Sequence, residues 1–196
     1  MSRSGAFLAL AIILWAAVVL VGLVVRPPLP VDETRYLAVA WEMWQRGDFL
    51  VPYINGIPYH HKPPLLFWLM QAGWAAFGVS ETAARLVAPL FALGSILLTA
   101  HLGRLLWPAS PGVGPLAALI LTGSALFAVF ISLTIFDTLV TFFALLGWVG
   151  LVRAAHAARY GGSMARGWAI YAAALGLGVL SKGPVQALHV LPVALL

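Results

Sequence analysis

Apolar residues run along this chain in blocks too long for a soluble fold, separated by short polar turns. Gly5 to Val25 gives 21 residues without a charge. At about 1.5 Å per helical residue, such a block reaches roughly 30 Å, the thickness of a bilayer's hydrocarbon core. Arg26-Pro27-Pro28 follows directly, with no small-residue cleavage site, so the pattern predicts a retained first span over 5–25. Leu86 to Gly103 is the second block and predicts a span over 86–107. From Leu105 to Val152 only Asp137 is charged, a stretch too long for one helix, which divides into predicted spans over 114–133 and 137–153. A fifth span is predicted over 168–182 and a sixth, cut short, over 184–196. The clearest turns are Pro108 to Gly112 and Tyr160 to Ser163.

Residues 26–85 follow another rhythm. Between Glu33 and Arg46, Tyr36, Ala40 and Met43 share one helical face with Val39 and Trp44 alongside, which leaves Glu33, Glu42 and Arg46 for water. That predicts a helix lying in the membrane interface, ended by Gly47-Asp48. Phe49 to Gly56 reads as a short extended piece entering a turn. Leu65 to Phe77 is apolar and Trp-rich but too short to span upright, which predicts a second interfacial or re-entrant helix. The expected fold is an all-α membrane protein of multi-spanning transmembrane helices, with interfacial helices in a long first external loop.

Composition agrees: 62% of the 196 residues are hydrophobic and 9% charged, with mean hydropathy +0.98. Eleven Lys/Arg against six acids leave +5, spread too thinly for a nucleic-acid binder, so no nucleic-acid partner is expected. Absent cysteine excludes a disulfide scaffold and leaves the redox compartment open. Charge also sets the expected orientation. With a cytoplasmic N-terminus, Arg3, Arg104, Arg153, Arg159 and Arg166 fall inside without an acid. All six acids then gather at the outer face together with Lys62 and Lys182.

Asp32 and Asp137 each open a predicted helix, where aspartate is a good N-cap. Serine or asparagine would cap without a charge to desolvate, and carboxylates at the membrane are functional candidates by default. Lys62-Pro63-Pro64 and Lys182-Gly183-Pro184 place a lysine before a helix-starting proline. Two lysines snorkelling at headgroups is the plainer reading. The chemical reading is a phosphate clamp, a point charge beside free helix N–H groups. Arg35 and Arg85 add to such a clamp or touch anionic lipid. His60-His61 invites a metal, but adjacent histidines point apart and need a distant third ligand. No Walker loop, dinucleotide fingerprint or GxSxG elbow is present, and Ala172 to Gly178 reads as a close-packing helix face.

Taken in order, Val31-Asp-Glu-Thr-Arg-Tyr36, Gly47-Asp-Phe-Leu-Val-Pro52, Asn55-Gly56, Tyr59-His-His-Lys-Pro-Pro-Leu65, Phe77-Gly78, Phe136-Asp137-Thr138 and Leu180-Ser-Lys-Gly-Pro184 make a specific set. The set resembles the undecaprenyl-phosphate aminoarabinose transferase and protein O-mannosyltransferase families, multi-spanning glycosyltransferases of the GT-C class. The resemblance covers about residues 5–190 and implies a polyprenyl-phosphate sugar donor, a lipid (lipid A-like) or protein acceptor, and a site on the outer face of the inner membrane. It implies that Asp32 is the principal catalytic aspartate, Asp137 the second acidic site residue, and Lys62 the lysine on the lipid phosphate. Lys182, Glu33, Arg35, Tyr59 and Arg85 complete the expected substrate-binding set. His61 stands where the aminoarabinose transferases usually carry Glu, and it is the candidate ligand for a divalent metal cofactor. Those families are much longer, so a fragment or truncated member is expected. Two rival classes are a transporter fragment, which predicts inverted half-repeats that are not seen, and a non-catalytic membrane subunit, for which Asp32 is dispensable.

Overall fold

A computed structural model describes residues 3–195. In chain order it contains α1 (Arg3–Val25), α2 (Asp32–Arg46), β1 (Tyr53–Ile54), β2 (Ile57–Pro58), α3 (Leu65–Phe77), α4 (Glu81–Leu106), α5 (Val113–Gly123), α6 (Ala125–Ile131), α7 (Asp137–Tyr160), α8 (Ala165–Lys182) and α9 (Val185–Ala194). Among the described residues, α1, α4 and α7 are each long and apolar enough to cross a membrane. α9 has ten residues, and α8 carries Arg166 and Lys182 near its two ends; neither belongs to that long apolar set.

Two boundaries depart from the sequence reading. α4 starts at Glu81 rather than 86, because the Ser80 hydroxyl caps it by accepting from Ala83 N at 3.1 Å. Residues 81–85 are therefore helical. The predicted 114–133 helix is broken at Ser124, and α5 and α6 meet at a 75° bend. Glycine followed by serine is a common kink site. Here Ser124 takes an extended backbone and its hydroxyl donates to Leu121 O at 2.9 Å, competing with the helix ladder. The bend carries the 132–136 turn inward over α2.

α4 is the central element, packed against α1, α3, α5 and α7. Trp15 of α1 donates its indole N–H to Pro89 O of α4 at 2.9 Å. The closest helix approaches rely on glycine: a Cβ on Gly114 would lie 2.2 Å from Ala100 O, and one on Gly167 would lie 2.7 Å from Gly150 O. The expected small-residue face on α8 is thus only partly used, since Gly178 meets Gln186 closely while Gly176 faces open space. α2 and α3 form the second layer. Val39, Ala40, Met43, Leu66, Phe67 and Met70 are fully buried between them and the start of α7. This packing fixes both interfacial helices at the end of the bundle where α7 begins.

Candidate active site

Pro27-Pro28 and Pro30 keep the chain extended after α1, and α2 begins only at Asp32. The N-cap position is Val31, which supplies no side-chain cap, and both acids of the first turn sit inside the helix. Asp32 therefore does not cap; its carboxylate lies out, 62% exposed. Its Oδ1 accepts from Arg35 Nη2 at 2.8 Å and from the Tyr36 hydroxyl at 3.2 Å, one helical turn along. Burial and the neighbouring Asp32 charge hold the Tyr36 phenol well above its ordinary range, so it stays a proton donor to that carboxylate.

The next residue behaves in the opposite way. The alternation on α2 assigned Glu33 to water, yet it is 1% exposed. Its carboxylate is ion-paired with Arg26 and accepts from Leu29 N at 2.9 Å and Thr134 N at 2.7 Å. Arg26 also donates to Ser132 O at 2.6 Å. Burial raises the Glu33 carboxyl, but the Arg26 bond and the two backbone N–H groups outweigh it and hold the group below its ordinary range. Glu33 thus ties the end of α1 to the turn before α7. Arg85 has a similar task. Only 4% exposed, it pairs with Glu81 at 3.0 Å and donates to Gly22 O at 2.8 Å and Arg26 O at 2.9 Å. It satisfies carbonyls that the end of α1 would leave orphaned. Both side chains, expected to bind substrate, are thus engaged in tertiary bonds in this structure.

The β1–β2 hairpin turns on Asn55 (φ 54°) and Gly56 (φ 78°), the left-handed pair of a tight hairpin turn. Glu42 accepts from Gly56 N at 3.0 Å and anchors the hairpin on α2. The chain returns through Tyr59, whose N–H donates to Pro52 O at 2.7 Å. Tyr59 is buried, its hydroxyl has no hydrogen-bond partner among the described residues, and its ring stacks on His61 at 5.4 Å. Burial pushes its phenol up; Arg35 opposes this and Asp32 adds to it, so both charges lie within electrostatic reach. His60 stacks in turn on His61 at 4.9 Å. Among the described residues no group of three or more His, Asp or Glu is placed to hold a metal ion, so the metal expectation at His61 finds no ligand set and becomes a ring stack.

Lys62 and Asp137 meet through an aromatic floor. Lys62 Nζ lies 5.8 Å from the centre of the Phe136 ring. Phe136 is 1% exposed and meets Tyr36 edge-on at 4.9 Å and Phe67 at 5.6 Å. Asp137 follows as the first residue of α7, again with no capping role. Its Oδ1 accepts from Lys182 Nζ at 2.6 Å, across the end of α8. Both partners remain accessible, at 40% and 30% exposure. Asp32, Arg35, Tyr59 and Lys62 thus surround one end of this floor, and the Asp137–Lys182 pair borders the other.

Residues 61–196 match the family described as dolichyl-phosphate-mannose-protein mannosyltransferase. The chain belongs to that family. It is 32% identical over 154 residues to the undecaprenyl phosphate-alpha-4-amino-4-deoxy-L-arabinose arabinosyl transferase of Pseudomonas aeruginosa, which covers 78% of this chain and 27% of that protein. The Pectobacterium atrosepticum protein of the same name is 30% identical over 172 residues, or 84% of this chain and 30% of its own length. The fold matches crystal structures of ArnT from Cupriavidus metallidurans. For the apo state the TM-score is 0.69 at 28% identity, covering 92% of this chain and 33% of that one. For the structure bound to undecaprenyl phosphate the values are 0.67 and 28%, covering 94% and 34%. The chain therefore spans about a third or less of the length of these relatives.

For a mannosyltransferase-family member, the arrangement offers two kinds of group in separate places. Asp32 is an exposed carboxylate oriented by a guanidinium and a phenol, able to hold or take a proton. Lys62 has no acidic partner among the described residues and is half-buried beside an aromatic ring, which leaves its positive charge free to meet an anion. Sequence reasoning missed Arg26, read only as the edge of a span, and the tyrosine contact to Asp32. The second was visible in principle, because Asp32 and Tyr36 stand at i and i+4 on one helix.

Proposed function

We propose that this chain carries the donor and base side of a membrane glycosyltransferase site that moves a sugar from a polyprenyl phosphate to a lipid or protein hydroxyl or phosphate at the external face of the inner membrane. The observation that carries the reading is the aromatic floor of Tyr36, Phe67 and Phe136, which joins Asp32 and Lys62 from one stretch of sequence to Asp137 and Lys182 from another. The relative bound to undecaprenyl phosphate supports the donor class. A lipid-linked donor also explains the position: an isoprenoid tail stays in the bilayer while its phosphate reaches Lys62.

In this mechanism Asp32 takes the proton of the acceptor hydroxyl, or orients an acceptor already ionised. The acceptor oxygen bonds to the anomeric carbon as the bond from that carbon to the phosphate oxygen breaks. The electron pair leaves on the polyprenyl phosphate, whose growing negative charge Lys62 neutralises. One in-line displacement inverts the anomeric centre, so no carboxylate need act as a nucleophile, unlike in retaining glycosidases. Asp137, held by Lys182, orients the acceptor. The test is Asp32→Asn in the intact protein in its own membrane, assayed by mass spectrometry of the modified lipids or proteins. Transfer is expected to fall by about 10²–10⁴ with insertion unchanged. Undiminished transfer would leave a non-catalytic subunit as the better reading.

A further inference from the structure

A second charged cluster lies at the far end of the bundle, and the proposed reaction makes no use of it. α7 starts at Asp137 and reaches Arg153 about 24 Å further on, at about 1.5 Å per residue; α4 carries Arg104 about 35 Å beyond Glu81. There Arg153 Nη2 lies 3.0 Å from His101 Nε2. A guanidinium only donates, so Nε2 is the acceptor and the ring proton sits on Nδ1. Arg104, one turn from His101, donates Nε to Ala100 O at 3.3 Å and otherwise faces out. Both arginines lie within electrostatic reach of the imidazole. Neither joins any ion pair among the described residues, and the sequence has no acid between Glu81 and Asp137 or after Asp137.

Two guanidinium groups from different helices thus flank a histidine that accepts from one of them, with donors to spare and no acidic partner among the described residues. Like charges brought together at the edge of a low-dielectric layer repel unless an anion joins them. The apolar helices α4 and α7 bring them there, and Leu106 and Trp107 beside them are about half exposed, at 46% and 54%. An indole next to exposed leucine is the side-chain chemistry of the lipid headgroup zone. We propose that Arg104, His101 and Arg153 form a seat for the phosphodiester headgroup of an anionic phospholipid, whose acyl chains run back along the α4 surface past Leu97, 43% exposed and two turns before Arg104 on the same face. Arg104 and Arg153 pair with the phosphate oxygens, and His101 Nδ1–H donates to the same group.

The test uses the chain purified in detergent, with bound lipid counted by native mass spectrometry during titration with dioleoyl phosphatidylglycerol or dioleoyl phosphatidylcholine. Phosphatidylglycerol is expected to bind at least tenfold more tightly. Each arginine is expected to contribute about fivefold, so the R104Q/R153Q pair removes most of the preference, while R166Q changes it by less than twofold. If the pair does not fold, R104Q alone decides, since Arg104 is exposed: a fivefold loss supports the site and no loss overturns it. Equal binding of the two lipids, full preference in the R104Q/R153Q protein, or equal competition by inorganic phosphate at the lipid's own concentration each overturns the assignment.

Discussion

Asp32 and Glu33 are adjacent carboxylates on the first turn of one helix, and the structure uses them in opposite ways. Asp32 is 62% exposed and its two contacts both fall on Oδ1. Glu33 is buried under Arg26 and two backbone N–H groups that draw in the turn before α7. Side-chain chemistry is nearly the same, so the role follows from access and from how many donors each oxygen already has. A saturated buried carboxylate holds elements together; an exposed one with a free oxygen can exchange a proton. The two depend on each other, because the Glu33 clasp places the 132–136 turn, and that turn delivers Phe136 and Asp137 to the floor beside Asp32.

The contrast breaks first if the two substitutions act alike. Asp32→Asn removes transfer, as above, with stability expected within about 0.5 kcal/mol of the parent. Glu33→Gln leaves Arg26 without its counter-charge and is expected to cost about 3–5 kcal/mol, read as a large fall in Tm in detergent. The clasp is also sensitive to acid. Because Glu33 is held below its ordinary value, its stabilisation is complete above the unfolded glutamate value of about 4.3 and is lost as pH falls through the lower folded value. The parent protein should therefore lose stability on acidification in that window, and Glu33→Gln should flatten the profile. An equal acid response in both proteins would assign the effect to other groups.

How far this was legible in sequence depended on the kind of signal. The helix over 65–77 and the interfacial helix near 33–46 follow from apolar spacing and match α3 and α2 closely. The break at Ser124 was hidden because the flanking residues are uniformly apolar, and one Gly-Ser step sets the bend. Asp32, Asp137, Lys62 and Lys182 stood out as charges in apolar surroundings, and the structure brings them to one floor. Arg85 stood out by the same criterion and Glu33 was assigned to water, yet both are engaged in tertiary bonds. Charge content cannot separate the two cases, since the distinction lies in tertiary partners such as Thr134 N, 101 residues away in sequence.

Smaller effects sharpen the comparison. The Asp137–Lys182 pair is partly exposed on both sides, so Lys182→Ala is expected to change stability by about 1 kcal/mol or less while lowering transfer. A loss comparable to Glu33→Gln would make it a second fastener. Tyr36→Phe removes only the hydroxyl bond to Asp32 and keeps the ring on Phe136. It should cost about 1 kcal/mol in stability and lower transfer, because Asp32 loses an orienting donor; unchanged transfer would detach the phenol from the carboxylate's role.

The central claim is that residues far apart in sequence meet at one side of the membrane. The chain has no cysteine, so single-cysteine variants can be labelled without background. Lys62→Cys and Lys182→Cys should both react with a membrane-impermeant maleimide added from the outer side, while Arg159→Cys should react only after the membrane is opened. Labelling of positions 62 and 182 from opposite sides would contradict a shared reaction centre.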